Sequence, residues 1–555
     1  MIIADKWMAA ALAALALVLA TLGGGNAIPQ AAPDRLSDGY LPESWEPDDD
    51  NVLDDGLRFL REGTLRPGDF IEASLPRYYA SATYALVFRR AGDGLEHLFA
   101  ADRFGFVRTA YRAAFGVTGL CFAAAAVLIY LCARTACGPV ASACAALTLI
   151  LNTGVLVHAH FAVVDLHLLC ALSLFLLIAL RGGSATLLAA VIGLMASIKY
   201  TGGMLFPLVP AVVCMRTGAA PKIIKTALQF LVSAVIFILL NPFTLIDLPR
   251  FIHDLGVIHF TRSTFKGFHG GAMAFSTHLT NIRDMSTPLA ILSVLAFLYA
   301  IMSRRRSRLQ VLGVVTFLAY HALTGWSRFN AQRFSLPLVV PLALLIAPLV
   351  ETLLARAKTL GVALLAAAYV WAGAAAIEAD SLFYRDSRIV AQAFIESRGY
   401  RRIGSFARPA YTQPSIPPGR GVGLHLAQPE PVKPDLYYRA QELYRRILGR
   451  PPAPAAPAPD AQPDFAAMNR EMLISAAPDA IVLSSYGFGR YLQDPQAFPP
   501  TTRFYEDLIG GRLGYTIVAR VRTPTTLLRH LEFVNPEIVV LELRGAGGKG
   551  LGARD

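Results

Sequence analysis

Residues 109–131 read TAYRAAFGVTGLCFAAAAVLIYL, an apolar run interrupted by one charge, Arg112. A helix needs about 20 apolar residues to cross the hydrocarbon core of a bilayer, so this run spells a membrane span. On either side of it, comparable runs lie at 7–22, 139–156, 163–180, 185–197, 204–214, 224–240, 289–302, 311–323, 336–350 and 360–377. Together they predict a polytopic α-helical membrane protein with about eleven transmembrane helices. Bulk composition agrees: of 555 residues 54% are hydrophobic and 16% charged, whereas an ordinary soluble domain carries about 25% charged residues. That deficit calls for lipid as a solvent.

The first run is followed by Gly23-Gly24-Gly25-Asn26-Ala27, which imitates the small-residue cleavage site of a signal peptide. With so many further spans behind it, an uncleaved first helix is the expectation. The formal net charge of +12 does not point to nucleic acid, because Lys and Arg sit mostly in short connections between apolar runs; topology and anionic lipid account for them. With a cytoplasmic N-terminus, the basic connections at Arg134, Arg181, Arg216 with Lys222 and Lys225, Arg304 to Arg308, and Arg356 with Lys358 all fall inside. The same count puts a first loop, 27–108, a second, 241–288, and the whole of 381–555 outside. Residues 1–380 thus form a transmembrane domain and 381–555 an external C-terminal one.

In the C-terminal part, 387–398 reads as a helix and 402–406, 480–483 and 537–541 as short strands, which predicts a small α/β domain. A Pro/Ala tract at 451–459 is a linker. All six cysteines lie in or beside apolar runs without metal or redox spacing, so they are small packing residues rather than a disulfide framework.

The first external loop opens with Trp45-Glu46-Pro47-Asp48-Asp49-Asp50-Asn51, then Asp54 and Asp55. Crowded carboxylates repel one another, so one of them holds a proton more tightly, as suits a base that takes a proton from a hydroxyl. The alternative is a solvated turn in which Asp48, Asp49 or Asp50 caps a helix at 52–61. The turn is followed by Gly63-Thr64-Leu65-Arg66-Pro67 and Ser74-Leu75-Pro76-Arg77-Tyr78-Tyr79. This order resembles the first external loop of the GT-C superfamily of polyprenyl-phosphate-sugar glycosyltransferases, nearest its protein O-mannosyltransferase-like and aminoarabinose-transferase-like groups.

Other segments are similar to that superfamily in the same order. They are His158-Ala159-His160 through Asp165, Ser197-Ile198-Lys199-Tyr200-Thr201-Gly202, Arg333-Phe334-Ser335-Leu336-Pro337-Leu338, and Tyr486 to Tyr491 with Arg503-Phe504-Tyr505. The resemblance implies a GT-C-like fold in a bacterial inner membrane, with the C-terminal domain periplasmic or extracellular. It also implies Asp48 as catalytic base with Asp49 beside it, where the family usually has Glu at the second position.

Lys199, Arg328 and Arg333 depart from the positive-inside rule by lying near the outer ends of spans. Cations there need partners, and a phosphate head group is one. Arg grips phosphate oxygens in a fork and Lys supplies a compact charge. Arg333 and Lys199, with Arg328, are therefore the candidate clamp for the donor phosphate; snorkelling of long side chains is the bland alternative. His253, His259, Arg262, Lys266 and His269 with the glycines around Phe268 make the second loop either a gate or a solvated basic loop. His158, His160, Asp165 and His167 carry groups that suit zinc or manganese, but not at helical ligand spacing. His160 and Asp165, with Tyr200, are instead expected to orient active-site groups or bind substrate, and no cofactor is required.

Sugar on a lipid phosphate already has a stable leaving anion, so a single carboxylate suffices and the anomeric centre inverts. The partners implied are a polyprenyl-phosphate-linked sugar, an acceptor that is a protein, lipid or glycan, and membrane lipids. A multispan transporter or flippase would show paired interrupted helices near the midplane, and no repeat is evident. A non-catalytic envelope assembly protein binding through its tail is the other alternative.

Overall fold

A computed structural model describes residues 3–27, 49–88, 95–220, 222–264, 274–325, 327, 331–406, 412–417, 419–426, 445–446, 465–493, 495–496, 498–529, 531 and 534–544. The apolar runs are mostly helical, although the one expected at 204–214 starts with a turn and becomes a helix, Leu208–Thr217, only past Pro207. Among the described residues five segments are long and apolar enough to cross a membrane: Ala4–Asn26, Arg103–Ala133, Ile223–Leu240, Gln332–Arg356 and Lys358–Arg398. Pro139–Ile150, Val164–Leu180, Ala185–Ile198 and Thr287–Met302 are shorter apolar helices. The run at 139–156 is not one span, because Asn152 accepts a hydrogen bond from the Val155 amide at 3.1 Å and restarts the chain as a separate helix, Thr153–His158.

The chain is a helical membrane protein, and its surface shows why. Ile223, Ile224, Leu228, Phe230, Leu231 and Leu239 all lie exposed along helix Ile223–Leu240. An apolar face of that extent has no stable place in water and is covered by lipid. The opposite side packs on helix Ala185–Ile198, where a Cβ on Gly193 would stand 2.5 Å from the Ser233 carbonyl. Small residues let helices approach in lipid, and Ser233 Oγ donates to the Ala189 carbonyl at 2.7 Å across the gap.

The first helix, Ile3–Thr21, belongs to this bundle. Asp5 accepts from Tyr130 at 2.7 Å and pairs with Arg134 at 3.0 Å, while the Gly138 amide donates to Glu351 at 3.0 Å. The chain's beginning and the connections near 134–138 and 351–357 therefore meet on one face, as alternate connections must.

Both long loops fold. The first carries helices Asp49–Glu62, Leu75–Phe88 and Leu95–Ala101, so its first helix begins at Asp49 rather than at 52. A side chain at Gly56 would meet Ala80 and Ser81 at 3.1 Å, which is how closely the first two helices cross. The second loop carries Phe243–Ile246, Leu248–Thr264 and Ala274–Met285. Its residues 265–273, with Lys266 and His269, lie outside the described ones, as do the side chains of His259 and Arg262.

The last membrane helix, Lys358–Arg385, runs through the expected boundary at 380 and stops at Asp386. A five-stranded sheet follows, of β1 (Ile403–Ser405), β2 (Gly421–Gly423), β3 (Ala480–Ser484), β4 (Tyr515–Val521) and β5 (Ile538–Leu543), ordered β2-β1-β3-β5-β4. Strands β2, β1 and β3 are parallel, and β5 and β4 join antiparallel. One face packs on Phe488, Tyr491, Phe504 and Tyr505, the other on Ala391 and Ile395 of helix Ser387–Arg398. The aromatic residues of the tail motif are thus core residues of the sheet. Glu378, near the end of the membrane helix, accepts the Thr526, Leu527 and Leu528 amides at 2.7, 2.8 and 3.2 Å and fastens the sheet to the bundle. The tract at 451–459 lies outside the described residues.

Candidate functional site

The first loop is held by a buried charge that composition alone does not reveal. Arg77, 1% exposed, donates to Asp55 at 2.5 Å and to Asp69 at 2.8 Å. Asp55 also accepts from Arg58 at 2.7 Å and from the Gly68 amide at 3.0 Å. Burial works against the Arg77 charge, yet Asp69 and Asp55 hold its affinity for the proton above the ordinary value. Asp55 is therefore a structural anion and not a spare carboxylate of the acidic turn.

This loop is bolted to the second. Arg66 pairs with Asp247 at 2.5 Å, the Phe70 amide donates to Asp254 at 2.9 Å, and the Ser74 amide donates to Asn241 at 2.8 Å. Tyr200 joins them: its hydroxyl donates to the Phe70 carbonyl at 3.1 Å and lies 3.3 Å from that of Glu72. Tyr200 thus holds the loop, and its ring enters an aromatic knot with Phe237 and Phe251.

One residue earlier, where helix Ala185–Ile198 ends, Lys199 turns the other way. Its ammonium lies 2.6 Å from Asp165 and 4.8 Å from the centre of the Phe334 ring. The Arg333 guanidinium lies 5.5 Å from the same centre and is an electrostatic neighbour of Asp165. Arg333 stands on the short helical turn Gln332–Ser335, which is positioned by Asn281 donating to Ser335 at 3.0 Å and by contact with Thr153–His158. His158 closes the group. Burial lowers its imidazole to about 4, so it is neutral, and Nδ1 donates to the Gly154 carbonyl at 2.7 Å. Lys199, Arg333 and Asp165, distant in sequence, are thus gathered around one ring, with the cations stabilised by its face.

Other predicted residues lie elsewhere. His160 faces the Leu156 carbonyl at 2.9 Å and that of Leu22 at 2.7 Å, and it stacks on Phe383 at 4.3 Å. It ties the exit of the first helix to the last one and does not join the cation group. Asp48 and Arg328 lie outside the described residues, and so does the side chain of Asp49, although Asp49 opens a described helix. Among the described residues no group of three His, Cys, Asp or Glu is arranged to hold a metal ion; His158, His160 and His167 each turn a ring nitrogen to a backbone carbonyl.

Phe334, the ring beneath both cations, sits between Arg333 and Ser335 with no feature of the sequence marking it as their shared surface. The stack of Tyr79 on His167, 4.8 Å between centres, also joins the first loop to the helix of Asp165. A Ser-x-x-x-Tyr-Tyr spacing at the start of a helix was its only signal.

A helical membrane protein with a buried arginine and a half-buried lysine gathered at the ends of its apolar helices is the class that fold and site define. No family model matches the chain, and no curated protein does. The solved structures similar to it include two of ArnT from Cupriavidus metallidurans. The crystal structure bound to undecaprenyl phosphate has 14% sequence identity and a TM-score of 0.48, covering 100% of each chain. The apo crystal structure has the same identity and TM-score, covering 97% of this chain and 98% of that one. At those values the likeness adds no weight to the geometry.

Proposed function

We propose that the chain is an inverting glycosyltransferase that moves a sugar from a polyprenyl-phosphate donor to an acceptor on the outer side of a bacterial inner membrane. The observation that supports this reading is the meeting of Lys199 and Arg333 over the Phe334 ring, beside Asp165. Two cations from separate segments, Arg333 buried and Lys199 half-buried where apolar helices end, suit the oxygens of a lipid phosphate whose tail stays in the bilayer. Asp165, 2.6 Å from the Lys199 ammonium, holds it in place.

In the reaction the bond from the anomeric carbon to the phosphate oxygen breaks, and a bond from an acceptor oxygen or nitrogen forms on the opposite face. Asp48 takes the acceptor's proton, Asp49 supports it, and the departing phosphate leaves as an anion cradled by Lys199 and Arg333. No general acid is needed. The N-terminus lies in the cytoplasm and the C-terminal sheet outside.

Purified protein in nanodiscs with a polyprenyl-phosphate sugar tests the reading. Asp48→Asn is expected to abolish turnover while undecaprenyl phosphate still binds. Lys199→Met or Arg333→Met is expected to weaken that binding roughly ten- to a hundredfold, since a hydrogen bond to a charged group contributes about 1.5–3 kcal/mol. Unchanged binding in both variants would remove the clamp and the reading with it.

A further inference from the structure

Asp380 is buried near the C-terminal end of helix Lys358–Arg385, and neither of its carboxyl oxygens has a hydrogen-bond donor. An isolated carboxylate is expensive to bury, so such a group finds a counter-charge or keeps a proton. Nε2 of His160, itself fully buried, lies 3.6 Å from it.

His160 is placed as a double donor. Nδ1 faces the Leu156 carbonyl at 2.9 Å, and Nε2 faces the Leu22 carbonyl at 2.7 Å. A neutral imidazole carries one N–H, so one of these nitrogens would turn a lone pair toward a carbonyl oxygen, whereas an imidazolium donates at both. Burial works against that charge, while the carbonyls of Leu156, Leu22, Leu19 and Val157 favour it. The Asp380 carboxylate supplies the balancing charge, and the two groups together are neutral.

The surroundings are close-fitting. A Cβ on Gly24 would stand 3.2 Å from Cδ2 of His160, and one on Gly23 would stand 2.7 Å from Cβ of Phe383. Glycines thus let the exit of the first helix lie directly on the imidazole and on the last helix. Among the described residues, the other titratable groups on the elements around the pair are engaged or exposed. His158 donates to the Gly154 carbonyl, Glu378 accepts the amides of 526–528, and Asp386 pairs with Arg388 at 2.8 Å. Arg112, Tyr384 and Arg385 are exposed.

We infer that His160 and Asp380 form a buried clasp of imidazolium and carboxylate, a one-proton lock that fastens the root of the first loop to the last helix. In the unfolded chain His160 gives up its proton near pH 6.5, whereas the clasp keeps it to higher pH. The stability it contributes is therefore complete between about pH 4, where unfolded carboxylates take up protons, and about 6.5. It is lost as pH rises through the folded value, when Asp380 is left facing a neutral ring. Alkaline pH thus loosens the root of the loop. This lock goes beyond the proposed reaction and does not rest on it.

Nitrogen NMR of the full chain, carrying isotope-labelled histidine and held in nanodiscs, reads the ring directly. At about pH 7.5 an ordinary imidazole is about one-tenth protonated. The His160 ring, identified by its absence from His160→Gln, is expected to show both nitrogens protonated at that pH, and the signature should vanish in Asp380→Asn. A neutral His160 ring in the parent overturns the inference, and so does an imidazolium that survives Asp380→Asn. Where Asp380→Asn fails to fold, melting temperatures decide. The gap between the parent and His160→Gln is expected to shrink by about half or more from about pH 6.5 to about 9, and a gap constant over that range overturns the clasp.

Discussion

Replacing Asp165 by Asn perturbs the most consequential ion pair in the site. The pair spans 2.6 Å, with the Asp165 side chain 3% and the Lys199 side chain 13% exposed. Removing one partner of such a buried pair costs about 3–5 kcal/mol, mainly because the other charge is stranded. Asp165→Asn leaves the cations of Lys199 and Arg333 over one ring without their carboxylate, which places it near the upper end, about 4–5 kcal/mol. Lys199→Met leaves Asp165 with Arg333 as an electrostatic neighbour, so its cost falls near about 3 kcal/mol. The double variant removes both members of the 2.6 Å pair and should cost less than the sum by at least about 2 kcal/mol. Unfolding in mixed micelles by titration with sodium dodecyl sulfate, followed by circular dichroism, gives the three differences. Costs that add within about 0.5 kcal/mol would mean the two groups are not coupled, and the reasoning about the clamp would fall.

Arg77→Met takes the buried guanidinium from Asp55, which keeps Arg58, and from the partly exposed Asp69, and should cost about 1–3 kcal/mol, read as faster hydrogen exchange of the amides of Gly68 and Phe70. Burial, with His321 beside it, lowers the His278 imidazole to about 4 in the fold. The unfolded chain takes up that proton first, near pH 6.5, so the contribution to stability is complete above 6.5, falls below it and is exhausted near 4. The change amounts to about 3 kcal/mol, and His278→Gln should flatten the melting temperature across that window. Gly23 has φ of +79°, and a Cβ there would stand 2.7 Å from that of Phe383; Gly23→Val should lower the melting temperature, with a cost of at least about 1–3 kcal/mol.

Several features were legible because they need no partner. Apolar runs of membrane length declare themselves whatever surrounds them, and so do the short strands at 480–483 and 537–541, which are now β3 and β5. The motif residues Lys199, Arg333 and Asp165 were legible as cations and a carboxylate in unfavourable places, and the fold brings the three together. His160 and Tyr200 stand beside them in sequence yet serve other contacts, since a helix end sends successive side chains in different directions.

Composition and periodicity determined which residues prefer lipid, because the transfer of a side chain from water depends on that side chain and its immediate neighbours. Tertiary structure alone decided that Arg77 is neutralised by Asp55 and Asp69, that Phe334 lies under two cations, and that the first loop rests on the second. Coulomb attraction and ring contacts act over a few ångströms between segments far apart in the chain. Until packing closes those distances, nothing in the order of residues records them.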